Sequence, residues 1–493
     1  MTAEEPSKRQ IVLCFDGTGN TFRVDGTDTN ILKIYRMLEK SDNTLSYYQP
    51  GIGTEITPGS LASTTLKHSS RLGKSKTISQ ALGTSFEQHV LGGYRFLMRH
   101  YRKDAEIYIF GFSRGAYTAC FLTEMLDYSG LLGPDNEEMI PIVWKAFSQL
   151  KLVRFQKNSM RTSEVFEFLR ASRETLCRAA VRVKFLGVFD TVNSIAEFEV
   201  DNEFDNSALT TRHAVSIDER RVKFQPVLLR KYRQQTKNRI HRRHYLRPPP
   251  RETNHCKESD NTSPEEKSTP VQSAESRHGK TDKNTTIEAD DPAIDQLEVW
   301  FPGCHADVGG GNKRGDEKFQ LSHAPLVWMV QEAIKAGLRF DPRQVKTYDC
   351  LDNPEEDASH RTYLDALHHS SATGILNDRL QFRSSVSVTS ALAWNILEHI
   401  PIRHVEIQKD GGSTTMHFPL HCGKPRGIPT DALIHVSAIR RMQHNKDYRP
   451  RNLIVGGGGR GVIKAPPEYG LGDWVPKYNI GDPTHELYVR KAA

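Results

Sequence analysis

Ala105-Glu-Ile-Tyr-Ile-Phe-Gly-Phe-Ser-Arg-Gly-Ala-Tyr-Thr-Ala119 decides the fold. The β-rich run Ile107–Phe110 leads straight into Gly111-Phe112-Ser113-Arg114-Gly115. From Ala116 to Tyr128, the residues Ala116, Ala119, Cys120, Thr123 and Leu126 then recur on one helical face. The order is strand, sharp turn and helix, with a serine at the apex and a glycine two residues to either side. A serine held in a strained turn at the top of a sheet needs neighbours without side chains. Only then can the helix fold back and a substrate approach Oγ. The pattern G-x-S-x-G recurs by chance. The strand before it and the small-residue helix after it make Ser113 a candidate nucleophile rather than part of a plain turn.

Working outward, Ile11–Phe15 is a short continuous apolar run of the kind that makes a buried parallel strand. It ends in the turn cluster Asp16-Gly-Thr-Gly-Asn20. Ile31, Ile34, Tyr35 and Leu38 keep helical spacing, with Asp28 to Asn30 as cap candidates. Leu45–Gln49 reads as a second strand closed by Pro50-Gly-Ile-Gly53. Thr77–Tyr101 reads as a long helix burying Leu82, Phe86, Val90, Tyr94 and Leu97. This alternation predicts an α/β chain with a mostly parallel, doubly wound sheet covered on both faces.

Downstream, residues 131–180 look helical and add no strand, which predicts a helical cap. Val181–Phe189 restores the sheet and ends in Asp190-Thr-Val-Asn193. Leu297–Phe301 is the next strand, followed by Pro302-Gly-Cys-His-Ala-Asp-Val-Gly-Gly-Gly311 and a helix over Pro325–Leu338. The core is therefore expected over 9–233 and 293–340, split by a disordered polar insertion at 234–292. A C-terminal α+β extension over 341–493 is expected to pack on that core. It includes a helix near Ala391–Glu398, a strand at Arg403–Ile407, a helix over Thr430–Met442 and a peripheral Gly456–Gly459.

Composition bounds the rest. The 493 residues are 37% hydrophobic and 26% charged, as in an ordinary globular protein. The net charge of +7 is local: 220–251 holds twelve basic and no acidic residues, and outside it 55 basic face 60 acidic. A solvated loop is the plainer reading of such a run; otherwise it could make peripheral contact with an anionic membrane through 220–251 or address the chain to a nucleus, with nucleic-acid binding the less expected role. Seven scattered cysteines without a C-x-x-C pair argue against a disulfide framework or a zinc ribbon. Together with a polar Met1–Gln10 and no long apolar stretch, they point to a reducing, cytoplasmic setting.

A serine hydroxyl needs a histidine as base, and the histidine needs a carboxylate to hold its tautomer. In α/β-hydrolases these occur in the order serine, acid, histidine, each after a strand. Ser113, Asp190 and His305 follow three predicted strands in that order. Asp190 could instead cap its turn, His213 and His323 are reserve histidines, and Asp307 is the rival acid. Two residues from His305, Asp307 is better placed to brace its loop than to bind a cation. The oxyanion donors expected are the Arg114 N–H and the loop Gly17-Thr18-Gly19, with Gly51-Ile-Gly53 as the alternative. Asp16 would brace that loop, and the chemistry calls for no metal or cofactor.

Two other enzyme or binding readings are weak. Phe15-Asp-Gly-Thr18 hints at a haloacid-dehalogenase-type phosphatase, but Cys14 stands where that chemistry wants its nucleophilic aspartate. Gly456–Gly459 lacks the Gly-Lys-Ser/Thr of a phosphate cradle. A non-catalytic binding protein that kept the fold is the serious alternative.

Five blocks taken together resemble one family. They are Leu13-Cys-Phe-Asp-Gly-Thr-Gly-Asn20, Gly111-Phe-Ser-Arg-Gly-Ala-Tyr117, Phe185-Leu-Gly-Val-Phe-Asp-Thr-Val192, His213-Ala-Val-Ser-Ile-Asp-Glu-Arg220 and Trp300-Phe-Pro-Gly-Cys-His-Ala-Asp-Val-Gly-Gly310. The family is the α/β-hydrolase one that includes the catalytic domain of type VI secretion phospholipase effectors. The resemblance implies an α/β-hydrolase-like fold and a triad falling on Ser113, Asp190 and His305. It also implies hydrolysis of carboxylic esters through an acyl-enzyme, with phospholipid or other lipid esters as substrates. The chain departs from those effectors in its polar insertion and its C-terminal third, so fold and triad carry over further than substrate does.

Overall fold

Strand β1 (Gln10–Phe15) is buried along its whole length, and its side chains alternate between two hydrophobic clusters. Ile11, Leu13 and Phe15 enter one, and Val12 and Cys14 the other. A strand buried on both faces belongs inside a parallel sheet with helices above and below. The structure, a computed structural model, describes residues 8–18, 27–51, 75–153, 159–178, 181–192, 203–204, 207–229, 294–312, 319–351, 362–382, 388–401, 404–407, 413–416, 418–454 and 465–491. The predicted insertion over 234–292, Gly19, Gly53 and Gly456–Gly459 lie outside the described residues.

Helix α1 (Asn30–Met37) follows β1 and is capped by Thr29, whose Oγ1 accepts the Leu32 N–H. A hydroxyl cap of this type contributes about 1 kcal/mol. Next come β2 (Thr44–Gln49), α2 (Ser75–His100), β3 (Glu106–Phe112) and α3 (Arg114–Ser129). β1 pairs in parallel with both β2 and β3. α4 (Ile140–Val153) and α5 (Ser159–Leu176), which occupy the expected cap region, pack on each other and on α3. A buried Lys151–Glu124 ion pair of 2.6 Å ties α4 to α3.

The sheet resumes with β4 (Val183–Phe189), parallel to β3. Two-residue strands β5 (Glu203–Phe204) and β7 (Leu228–Leu229) pair with each other and flank β6 (Thr210–Ser216). Then come β8 (Asp295–Phe301), α6 (His305–Gly309), α7 (His323–Lys335), α8 (Pro342–Thr347), α9 (Thr362–Thr373) and α10 (Val388–Glu398). The antiparallel pair β9 (His404–Ile407) and β10 (Ser413–Met416) stands apart. β11 (Leu433–His435), α11 (Val436–His444), β12 (Trp474–Tyr478) and β13 (Leu487–Arg490) complete the described chain.

Among the described residues the central sheet has nine strands, in the order β12-β13-β11-β8-β6-β4-β3-β1-β2. It is parallel from β2 through β11; β13 runs antiparallel to β11, and the edge strand β12, antiparallel to β13, points the same way as the rest. The fold class is therefore α/β with a mostly parallel sheet. Helices α2, α3 and α4 cover one face through Phe86, Phe121 and Phe147, and α1 and α7 cover the other through Ile34 and Met329.

Two expectations change. β6 lies between the predicted strands β4 and β8, where the sequence pattern predicts no strand. Its Thr-Thr-Arg-His-Ala-Val-Ser sequence lacks an apolar run because Arg212 and His213 are buried against carboxylates, Arg212 in an ion pair with Glu332 and His213 through a hydrogen bond between its Nδ1 and Glu298. The expected helix over Thr430–Met442 is instead strand β11 followed by helix α11. Residues beyond 340 thus supply three strands of the central sheet. They are joined to β6 and β8 by a third cluster containing Val215, Trp300, Ile434 and Trp474.

Among the described residues no helix is long and apolar enough to cross a membrane, and six cysteines are free thiols. Of the basic run 220–251, only 220–229 is described. Arg220 and Arg221 there point inward, to Asp378 and Glu219, and so are committed to protein partners rather than to an anionic surface.

Candidate functional site

Ser113 sits between β3 and α3 with φ 59° and ψ −125°, a left-handed conformation that a serine rarely adopts. The flanking glycines make that turn possible for two separate reasons. A Cβ on Gly111 would lie 2.5 Å from the Ala116 Cα, so glycine there lets α3 fold back onto β3. A Cβ on Gly115 would lie 2.3 Å from the carbonyl oxygen of Phe15 and 2.4 Å from that of Asp16. Glycine there lets the loop after β1 press against the start of α3. The Ser113 N–H is held by the Phe189 carbonyl at 3.0 Å, which binds the serine turn to the end of β4.

Asp190 follows β4 with φ 38° and is wholly buried. Its N–H reaches the Ala214 carbonyl at 2.7 Å, bending the chain over the end of β6 toward β8. There Oδ2 meets the His305 Nδ1 at 2.6 Å. With the carboxylate ionised, Nδ1 donates the hydrogen and Nε2 is left as the basic nitrogen. The His305 ring lies between two aromatic rings, Phe112 at 4.7 Å and Phe224 at 4.7 Å. The Phe112 contact brings the imidazole to the residue next to Ser113. The Ser113 hydroxyl itself makes no hydrogen bond to any described residue. Nucleophile–base contacts are often loose until substrate is bound.

Further charges surround this pair. Asp190 accepts two bonds from Arg426, Nη1 to Oδ1 at 2.6 Å and Nη2 to Oδ2 at 3.0 Å, and one from the Ser216 N–H at 2.9 Å. Burial alone would raise its pKa. The Arg426 charge and the hydrogen bond from His305 outweigh burial and hold the carboxyl well below the usual range. Glu219 accepts the His305 N–H at 3.2 Å and pairs with Arg221 at 2.8 Å. Burial pushes the Glu219 pKa up, but the Arg221 charge brings it down to about 2. Burial lowers the His305 pKa against the pull of Asp190, so the imidazole rests neutral.

Asp16 accepts the Gly17 N–H at 2.7 Å and hydroxyls from Thr29 at 2.8 Å and Tyr48 at 2.7 Å. With only neutral donors, burial lifts its pKa to about 6. The Gly17 N–H is thereby already committed. Thr18 Oγ1 accepts from the Arg114 Nε, and burial lowers the Arg114 guanidinium to about 10. Of the alternative loop only Gly51 is among the described residues, and it packs on the Gly17 carbonyl.

Asp307 holds the loop that carries His305. It accepts the Cys304 and Asn377 N–H groups, each at 2.9 Å, and the Asn312 and Asn377 side-chain amides, each at 2.8 Å. Burial raises its pKa to about 6. Among the described residues no cluster suited to a metal ion occurs. His213 has both ring nitrogens engaged, Nδ1 with Glu298 at 2.9 Å and Nε2 with the Thr191 N–H at 3.3 Å. His323 begins α7, and burial lowers its pKa to about 3.

Arg426, Arg221 and Phe224 were not picked out from the sequence, and Glu219 entered only within the block His213–Arg220. Phe224 and Arg221 form a stack, with the guanidinium 3.6 Å from the ring centroid.

The chain is thus a mixed α/β protein that gathers a strained serine and a buried aspartate–histidine pair at the carboxyl edge of a mostly parallel sheet. By sequence it belongs to the family "T6SS, Phospholipase effector Tle1-like, catalytic domain", which matches residues 9–332. It is 26% identical over 570 aligned residues to the uncharacterized protein YEL023C of Saccharomyces cerevisiae, covering 92% of this chain and 81% of that one. Two solved structures also match. The crystal structure of an uncharacterized protein from Pseudomonas aeruginosa aligns at 18% identity and TM-score 0.35, over 74% of this chain and 50% of that one. The Tle1 effector bound to the VgrG spike of the type 6 secretion system aligns at 16% identity and TM-score 0.21, over 45% of this chain and 47% of that one. The chain spans about half the length of either, and at these TM-scores neither superposition bears on function.

Proposed function

We propose that the protein is a serine hydrolase of α/β-hydrolase type that cleaves carboxylic esters of phospholipids or related lipids. The observation that carries the proposal is the 2.6 Å contact between Asp190 and His305, beside a serine held at φ 59° on the adjoining strand end. In this reading the Ser113 Oγ attacks the ester carbonyl while the His305 Nε2 takes its proton. The alcohol leaves with that proton, and water then cleaves the acyl-Ser113 ester by the same route. Asp190 holds the imidazole and stabilises the imidazolium.

The tetrahedral oxyanion would be met by the Arg114 N–H, at the first position of α3 where a helix supplies no internal partner, and the Thr18 N–H. Thr18 takes this role in place of Gly17, whose N–H is spent on Asp16. Membership of a phospholipase family supports a lipid ester as substrate, and scattered free thiols support a reducing, cytoplasmic setting.

The test combines labelling and turnover. A fluorophosphonate probe is expected to label Ser113 alone, and Ser113→Ala to lower fatty-acid release from phospholipid vesicles by roughly 10⁶-fold. Asp190→Asn is expected to lower kcat by about 10⁴-fold. Folded wild-type protein that neither takes up the probe nor releases fatty acid would instead be a binding protein on the same fold.

A further inference from the structure

The acid of this site is fixed by a residue from far outside the region that the family match covers. Arg426 lies beyond residue 332, where that match ends, and its side chain is wholly buried. Its two terminal nitrogens grip both oxygens of Asp190, at 2.6 and 3.0 Å. Arg426 is held in turn by the Ser216 carbonyl at 3.1 Å, the Ser216 Oγ at 2.7 Å and the Phe224 carbonyl. Phe224 is also the residue whose ring lies against His305. One guanidinium therefore orients the carboxylate and braces the segment that flanks the base.

We propose that Arg426 is the positioning residue of the site: it keeps Asp190 ionised and its Oδ2 aimed at the His305 Nδ1, so the C-terminal third is part of the catalytic unit. The inference rests on the triad reading above. A planar fork against a carboxylate sets the carboxylate plane, as a lysine ammonium cannot. With Oδ1 taken by the Ser216 N–H and Nη1, and Oδ2 by Nη2 and the imidazole, no acceptor site on Asp190 is left for competing donors. The countercharge also limits how strongly Asp190 attracts a proton to His305, leaving the imidazole free to act as a base. The remaining charged groups facing the pair are Glu219, which accepts the His305 N–H, and Arg221, which Glu219 neutralises. The buried Cys304 thiol has its pKa raised by burial and stays uncharged.

The test is the pH profile of kcat/KM for full-length wild type, Arg426→Gln and Arg426→Lys, alone and with Asp190→Asn. Losing the guanidinium leaves Asp190 either ionised without a countercharge or protonated. Both move the acid limb of the profile upward, by about one pH unit or more. Arg426→Gln is expected to show that shift with a kcat about 10²-fold lower. Arg426→Lys keeps the charge without the fork, so its limb is expected near wild type with kcat still reduced. In the Asp190→Asn background, Arg426→Gln should cost nothing more.

The inference is overturned if folded Arg426→Gln keeps the wild-type limb, or if its loss multiplies with that of Asp190→Asn. Should Arg426→Gln fail to fold, Arg426→Lys decides, and a wild-type kcat there overturns it. Probe labelling separates the two readings. If Ser113 is unlabelled and Ser113→Ala stays active, the triad itself fails. If Ser113 is essential and the Arg426 variants match wild type, only this inference fails.

Discussion

Gly115→Ala probes the geometry of the site more sharply than removal of any catalytic group. The new Cβ would sit 2.3 Å from the Phe15 carbonyl oxygen and 2.4 Å from that of Asp16, against an ordinary contact of 3.4 Å. The neighbours are backbone on both sides, so neither can rotate away. The start of α3 and the loop after β1 must separate by roughly 1 Å. Ser113 and the Arg114 N–H ride on one side of that gap, and Thr18 on the other. A 1 Å misplacement of reacting groups costs about 10²-fold in rate, or close to 3 kcal/mol of barrier. The stability cost is smaller, because overpacking of about 1–3 kcal/mol is offset by about 1 kcal/mol of helix propensity. Activity should therefore fall much further than stability does. The assay is kcat on a short-chain ester together with the rate of fluorophosphonate labelling at Ser113, alongside a thermal melt. A variant within threefold of wild type in both rates, with an unchanged melt, would refute the close approach of these two loops.

Asp307→Ala is expected to strand the Cys304 and Asn377 N–H groups and two side-chain amides, and to lower stability by at least 3 kcal/mol in urea unfolding. An unchanged midpoint would mean that Asp307 does not brace the His305 loop. His213→Gln is expected to lower the melting temperature yet leave Ser113 labelling within a few-fold of wild type, since both its ring nitrogens serve Glu298 and Thr191. His305→Gln should abolish labelling, and the reverse pattern would exchange the two histidines.

The sequence was most legible where burial is apolar on both faces of the sheet. β1, β3, β4 and β8 end in unbroken runs of apolar residues, and those runs locate Ser113, Asp190 and His305 after their strands. β6 is not legible because the side chains it buries include Arg212 and His213, whose carboxylate partners come from β8 and α7 and leave no local pattern. Arg426 was harder still. It stands in Gly423-Lys-Pro-Arg-Gly-Ile-Pro429, a segment with neither helical nor strand periodicity, and its partner Asp190 is 236 residues away. A buried charge follows a countercharge elsewhere in the fold rather than the periodicity of its own segment.

Four of the buried carboxylates at this edge of the sheet, Asp190, Glu219, Asp16 and Asp307, divide by the charge of their partners, and that division can be measured. Asp190 and Glu219 each face a guanidinium and have lowered pKa values, whereas Asp16 and Asp307 face only uncharged donors and are raised to about 6. For the lowered pair, stability is present above the unfolded values of 3.8 and 4.5, and is lost only in strong acid, for Glu219 near pH 2. For Asp16 the sign is opposite. The folded protein holds the proton more tightly than the unfolded chain, so its contribution is highest below 3.8 and declines as pH rises through 6. A shift of about two units corresponds to roughly 3 kcal/mol across that window. Asp16→Asn replaces the titrating group by a neutral one that can donate to the Thr29 and Tyr48 hydroxyls, both free to turn. Relative to wild type, the variant should therefore gain stability between pH 4 and pH 7, read as the difference in unfolding free energy at each pH. A difference that stays flat, or that favours wild type increasingly toward pH 7, would show that Asp16 is ionised at little cost and that burial is not what governs it.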